Sequence, residues 1–164
     1  MAASKEHGEL SGHSASEAPS VAVGDLANAA IPRRRFLFVD DNAFIASAIQ
    51  RVAGACGFDV RATTSAAAFR ERYREQPPDL VGFDLAMPGG DGIELIRFLA
   101  GEGCRAPILI VTGHDRRVLA SAARLGRERG LNIVETLSKP FSVESLQSAL
   151  TRMNEIVAGE GRGR

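Results

Sequence analysis

Phe36-Leu37-Phe38-Val39-Asp40-Asp41 is a run of four apolar residues cut off by two carboxylates. It has no polar alternation and is too short for a buried helix. It suits a strand covered on both faces, the usual setting of a strand in a parallel sheet. The same pattern recurs along the chain. Leu80-Val81-Gly82-Phe83 ends at Asp84, Ile108 to Val111 ends at Thr112, and Ile133 to Leu137 ends just before Lys139-Pro140. Phe58, Val60 and Ala62 alternate as a further strand, second in order.

Helical stripes fill the intervals. Residues 43 to 56 carry Ile45, Ala48, Ile49, Val52 and Cys56 on one face and close at Gly57. Ser65 caps a helix through Glu75 with Ala66, Phe69 and Tyr73 inward, and Pro77-Pro78 ends it. Ile93, Ile96 and Leu99 mark a short helix, and Val118, Leu119, Ala122 and Leu125 mark a longer one over 116 to 129. Ser142 caps the last, with Val143, Leu146, Leu150, Met153 and Val157 inward. Five strands alternating with five helices predict an α/β fold, a doubly wound five-stranded parallel sheet with helices on both faces. The polar Glu135 and Thr136 suit an edge position for the fifth strand.

The chain has 164 residues, of which 45% are hydrophobic, enough to fill one core and to exclude full disorder or a disulfide-stapled miniprotein. With 20 basic and 20 acidic residues, the overall charge favours neither nucleic acid nor a membrane surface. No apolar run approaches a membrane span, and the start lacks an export signal, so a cytoplasmic protein is expected. Cys56 and Cys104 lack metal-ligand spacing and read as inert reduced thiols. Residues 1–32 are rich in Ala, Ser, Gly and Glu and carry Lys5 against Glu6, Glu9, Glu17 and Asp25. They are expected to form a mobile arm, whose His7 and His13 carry no metal-site signal. A domain over 33–158 and a flexible tail over 159–164 complete the expected organisation.

In an open α/β sheet the C-terminal strand ends share one rim, where ligands bind. That rim gathers Asp40, Asp41, Asp84, Thr112 and Lys139. Three clustered carboxylates repel one another and must share a proton or bind a cation. Oxygen-only donors suit a hard ion such as Mg²⁺. Asp84 is the central candidate, since a carboxylate can attack phosphorus and become an aspartyl phosphate. The charge on the transferred group is then met by the metal, by Lys139 and by the Thr112 hydroxyl. Eighteen of the 20 basic residues are Arg, so Lys139 is the only Lys outside the arm, placed where a compact ammonium is wanted.

Four motifs now stand in order: Val39-Asp40-Asp41, Asp84 through Gly92, Thr112-Gly113 and Lys139-Pro140-Phe141. From residue 35 to about 158 the chain resembles the receiver domain of two-component response regulators. The resemblance implies the five-stranded fold and phosphorylation of Asp84 by a phosphohistidine of a sensor histidine kinase or phosphotransfer protein. It implies that Asp41, Asp84 and the Ala86 carbonyl hold Mg²⁺, with Asp40 acting largely through water, and that Thr112 and Lys139 contact the phosphoryl group. It also places Ala86 and His114 beside the path of a hydrolytic water.

Two departures stand out. Thr136 occupies a position usually aromatic in that family, and 27 residues separate Thr112 from Lys139, a longer stretch than usual. The segment Ser121 to Phe141 resembles receivers attached to EAL-type cyclic-di-GMP phosphodiesterases, but neither such a domain nor a DNA-binding module is expected here. The expected function is a stand-alone response regulator, not an enzyme but a phosphoacceptor with self-catalysed phosphorylation and dephosphorylation, that signals to a downstream protein target through protein contacts. Its signal is expected to run through the Thr112–Asp115 loop and the helix after it. A homodimer is expected, if one forms, on the face of helix 116–129, strand 133–137 and helix 143–157. The alternatives are a receiver-like scaffold independent of phosphorylation and an aspartyl-nucleophile phosphatase. Ala86 speaks against the second, because such enzymes carry an acid two residues after the nucleophile.

Overall fold

A computed structural model describes residues 32–113 and 115–160. The expected arm up to residue 31, the last four residues of the tail, and His114 lie outside the described residues.

Five strands form one parallel sheet: β1 (Arg35–Val39), β2 (Asp59–Thr63), β3 (Leu80–Asp84), β4 (Ile108–Thr112) and β5 (Ile133–Ser138). Their order is β2-β1-β3-β4-β5, so the chain winds outward from β1 first to one edge and then to the other. β5 is an edge strand, as its polar residues predict. The helices are α1 (Ala43–Ala55), α2 (Ala66–Glu75), α3 (Asp91–Gly101), α4 (Arg116–Glu128) and α5 (Val143–Glu160).

Alternation within the strands splits the core in two. Leu37, Val39, Phe83 and Ile110 point to the face covered by α2, α3 and α4, where Phe69, Leu95, Leu99 and Leu119 meet them. Phe36, Phe38, Leu109 and Val111 point to the other face, under α1 and α5, against Ile49, Leu146, Leu150 and Met153. Every residue of β3 and β4 is buried, the signature of central strands in a parallel sheet. Gly82 is needed at its place in β3, because a Cβ there would lie 2.7 Å from the Phe38 ring.

The caps set where the helices begin. The Asn42 side chain accepts from the Phe44 and Ile45 amides at the start of α1, and Ser65 accepts from Ala68 at the start of α2. Ser142 accepts from the Ser145 amide in the same way. Gly57, at φ 91°, ends α1 in the left-handed conformation that glycine adopts without strain.

Three helix faces differ from the pattern read in the sequence, the first being α1, where Cys56 is exposed and Ala46 and Ala53 are buried with Ile49. Val118 is 46% exposed, and α4 instead buries Leu119, Ala122, Ala123 and Gly126. The small residues let the helix backbone press onto β5: a Cβ on Gly126 would lie 2.9 Å from Ile133. Val143, counted as inward, is 52% exposed at the first turn of α5, which buries Leu146, Ala149, Leu150 and Met153.

Candidate functional site

The ends of β1, β3, β4 and β5 bring the functional groups to the same rim. β1 runs out at Val39, and Asp40 follows it wholly buried while Asp41 turns outward and is exposed. β3 ends on Asp84 itself, 3% exposed, and β4 on the buried Thr112. Carboxylate oxygens of Asp40, Asp41 and Asp84 lie within 4.8 Å of one another. Lys139 reaches in from the end of β5, where its amide donates to the Thr112 carbonyl at 2.8 Å. Its ammonium donates to Asp40 Oδ2 at 2.6 Å and to Asp84 Oδ2 at 3.1 Å. Asp40, Asp41, Asp84 and Lys139, all picked from the sequence, therefore lie together, and Thr112 is joined to them through its backbone carbonyl at the end of β4.

Backbone donors fix both buried carboxylates. Asp40 Oδ1 accepts from the Asn42 amide and Asp84 Oδ1 from the Ala86 amide, each at 2.9 Å. The outer oxygens are left to the ammonium. Burial pushes the Asp40 carboxyl above its ordinary value, and the hydrogen bonds from Lys139 and Asn42 only partly offset it. For Lys139 burial acts downward, but the hydrogen bonds to Asp40 and Asp84 outweigh it and the net shift is upward. The pair thus behaves differently at its two ends. Burial wins on Asp40, whose side chain is fully enclosed, and pairing wins on Lys139, whose side chain keeps 21% exposure.

Two features of the site were not read from the sequence. Gly92, in the first turn of α3, packs directly on the chain leaving Asp84: a Cβ there would stand 2.4 Å from the Leu85 carbonyl oxygen. In the sequence Gly92 stood only as the last residue of the motif that begins at Asp84. The second is apolar. Phe44 stands 74% exposed at the start of α1, and an open groove of about 450 Å³ lined by Phe44, Ile45, Val52, Phe141 and Val143 runs up to Lys139.

Residues 36–151 match the response regulator receiver domain. The chain belongs to this family. The response regulator MprA of Mycobacterium tuberculosis is 30% identical over 123 residues, covering 75% of this chain and 50% of MprA. FixJ, a transcriptional regulatory protein of Bradyrhizobium diazoefficiens, is 32% identical over 113 residues, 68% of this chain and 52% of its own. The chain spans between a quarter and about half the length of the curated relatives it matches. Among solved structures, a response regulator of Colwellia psychrerythraea is 31% identical with a TM-score of 0.66, covering 74% of this chain and 98% of its own. A Burkholderia pseudomallei response regulator, solved with a phosphorylated aspartic acid, calcium ion and citrate, is 27% identical with a TM-score of 0.61, covering 77% of this chain and 72% of its own. This receiver domain therefore has the fold read from its sequence, and among its described residues no helix is long and apolar enough to cross a membrane.

Proposed function

We propose that this receiver accepts a phosphoryl group on Asp84 from a phosphohistidine of a sensor kinase or phosphotransfer protein, in the cytoplasm, and signals through protein contacts of its own surface. The convergence of Asp40, Asp41 and Asp84 around one ammonium carries the reading. A carboxylate trio with a single cation leaves excess negative charge, and its donors are all oxygen, which fits Mg²⁺. Asp41 and Asp84 with the Ala86 carbonyl would hold the ion, with Asp40 acting largely through water. The metal supplies charge neutralisation on the transferred oxygens.

This chain's own residues do the rest. The Ala86 amide fixes Asp84 Oδ1, which leaves Oδ2 beside Lys139 as the attacking oxygen. That oxygen bonds to phosphorus as the phosphorus–nitrogen bond of the phosphohistidine breaks, and the imidazole departs. Lys139 then moves its ammonium from the Asp84 carboxylate to a phosphoryl oxygen, and the Thr112 hydroxyl meets another. The apolar groove running from Phe44 to Lys139 offers the donor protein a contact surface within reach of Asp84. The relative with a phosphorylated aspartic acid supports the same chemistry here. The test is phosphorylation of the full chain by acetyl phosphate with Mg²⁺: one phosphoryl group is expected on the wild type and none on Asp84→Asn.

A further inference from the structure

β2 is the other edge of the sheet, and among the described residues no strand pairs with its outer side. The Asp59 amide donates to the Arg34 carbonyl at 2.9 Å, and the Thr63 carbonyl accepts from the Asp40 amide at 3.2 Å. Residues 59, 61 and 63 therefore bond toward β1, while Val60 and Ala62 turn their amides and carbonyls to the open side. The side chains alternate as well. Arg61 stands in register with Leu37, so Asp59 and Arg61 share the Leu37 face, where both are exposed. Charges beside them are already matched: Arg72 pairs with Glu75 at 2.9 Å and Arg35 with Asp79 at 3.7 Å. Among the described residues neither the Asp59 nor the Arg61 side chain has an ion-pair or hydrogen-bond partner. Val60 lies on the opposite face, packed against the cluster of Phe36, Ile49 and Phe58.

We infer that the β2 edge pairs with the β2 edge of a second copy of this chain, antiparallel and centred on Val60. An open strand edge is a template for another strand, and a two-fold axis makes the contact self-complementary. At its centre Val60 meets its own equivalent, each amide donating to the other's carbonyl. Asp59 then stands directly opposite Arg61 of the second copy, and Arg61 opposite that copy's Asp59. These are the positions where side chains of an antiparallel pair come closest. The unmatched charges of each copy become two ion pairs, and on the other face the apolar cluster continues through the Val60 contact. Charge also sets the register, because centring on Arg61 would bring the two Arg61 side chains face to face. The β5 edge offers no such pairing, since Glu135 there is held by Arg152 of α5 at 3.0 Å. The contact is small, five residues a side, so a reversible dimer is expected, with a dissociation constant on the order of 100 µM. The inference does not depend on phosphorylation of Asp84.

The test is sedimentation equilibrium of the full chain at concentrations up to about 1 mM, well above the expected dissociation constant. The wild type is compared with Asp59→Arg, with Arg61→Asp and with the double reversal that carries both. Each single reversal sets like charges opposite each other twice and should weaken the dimer about tenfold or more. The double reversal rebuilds both ion pairs with their signs exchanged and should return the dissociation constant to within about threefold of the wild type. An equimolar mixture of the two single variants should form a heterodimer under conditions where neither associates alone. Recovery in the double reversal and in the mixture separates lost pairing from lost folding. In the isotope-labelled wild type, NMR resonances of residues 59–63 should shift with concentration, and the Val60 and Ala62 amides should exchange more slowly as the dimer fills. A monomer at every concentration, single variants that associate like the wild type, a double reversal no better than either single one, or concentration-dependent shifts on α4 and β5 instead of β2 would overturn the inference.

Discussion

The Lys139 ammonium lies 2.6 Å from the Asp40 carboxylate, closer than the 3.1 Å that separates it from Asp84. The cation is therefore shared, and its tighter partner is the carboxylate that is not the proposed phosphoacceptor. Lys139 can move to a phosphoryl oxygen without abandoning a buried charge entirely, because Asp84 loses its own negative oxygen when the acyl phosphate forms. Asp40 anchors the arrangement and strains it electrostatically, since a buried carboxylate costs more than one ammonium shared with a neighbour returns.

That cost has a sign in pH. A carboxyl whose folded pKa is raised contributes stability that is complete below its unfolded value, near 3.8, and is lost as pH climbs through the raised folded value. Lys139, also raised, contributes stability present below 10.5 and lost only above it. Metal-free wild-type protein should thus lose the Asp40 contribution as pH rises from 3.8 through the raised folded value. Asp40→Asn should remove this loss and stabilise the metal-free protein at pH 7 by on the order of 1 kcal/mol, a rise in melting temperature of about 3 °C. Thermal melts in the presence of a chelator check this, and a lower midpoint for the variant would contradict it.

Gly92 should tolerate no side chain. The clash of a Cβ with the Leu85 backbone moves the segment that holds Ala86 on Asp84. Gly92→Ala is expected to cost about 1–3 kcal/mol in denaturant unfolding and to slow phosphorylation by acetyl phosphate. An unchanged midpoint and rate would show that α3 can slide without disturbing the site.

The two thiols should separate cleanly. Cys56 is exposed and Cys104 buried. Burial lifts the Cys104 thiol above its ordinary value, with a hydrogen bond shared with Tyr73 only partly countering it. A thiol reagent such as Ellman's should modify one cysteine rapidly in the native protein and the second only at the rate of unfolding. Rapid modification of both would place Cys104 in a more open setting than the core between α2 and α3.

Phe44 should matter for one phosphodonor and not another. Its ring touches the groove leading to Lys139 but none of the reacting groups. Phe44→Ala is expected to slow transfer from a phosphorylated kinase about tenfold through a weaker encounter. Its reaction with acetyl phosphate should stay at the wild-type rate. Equal slowing with both donors would place the effect in the site itself.

The fold was legible because β1, β3 and β4 each announce themselves twice, by an apolar run and by the polar residue that stops it. Phe36 to Asp41 alone carries the logic of a central parallel strand. Helix faces were harder where packing depends on smallness. Hydrophobic pattern ranks Val118 above Gly126, yet close approach to Ile133 rewards the residue with no side chain, and the face turns accordingly. Val143 was misplaced for a related reason: its place in the period is apolar, but it sits in the first turn, beyond the edge of the core. The site residues were legible as strand-end residues. Their pairing was not, since Asp40 and Lys139 stand 99 residues apart and only the folded rim shows which carboxylate the ammonium prefers. The apolar groove at Phe44 escaped notice because it is assembled from α1 and the start of α5.

The phosphoryl group on Asp84 is the claim on which the rest depends. Intact-mass measurement after incubation with acetyl phosphate and Mg²⁺, followed by mapping of the modified peptide, tests it most directly. The account predicts a single phosphoryl group on the wild type, mapped to Asp84, absent without Mg²⁺ and absent in Asp84→Asn. A phosphoryl group of equal occupancy on Asp84→Asn, or one mapped to Asp40 or Asp41 in the wild type, would contradict it.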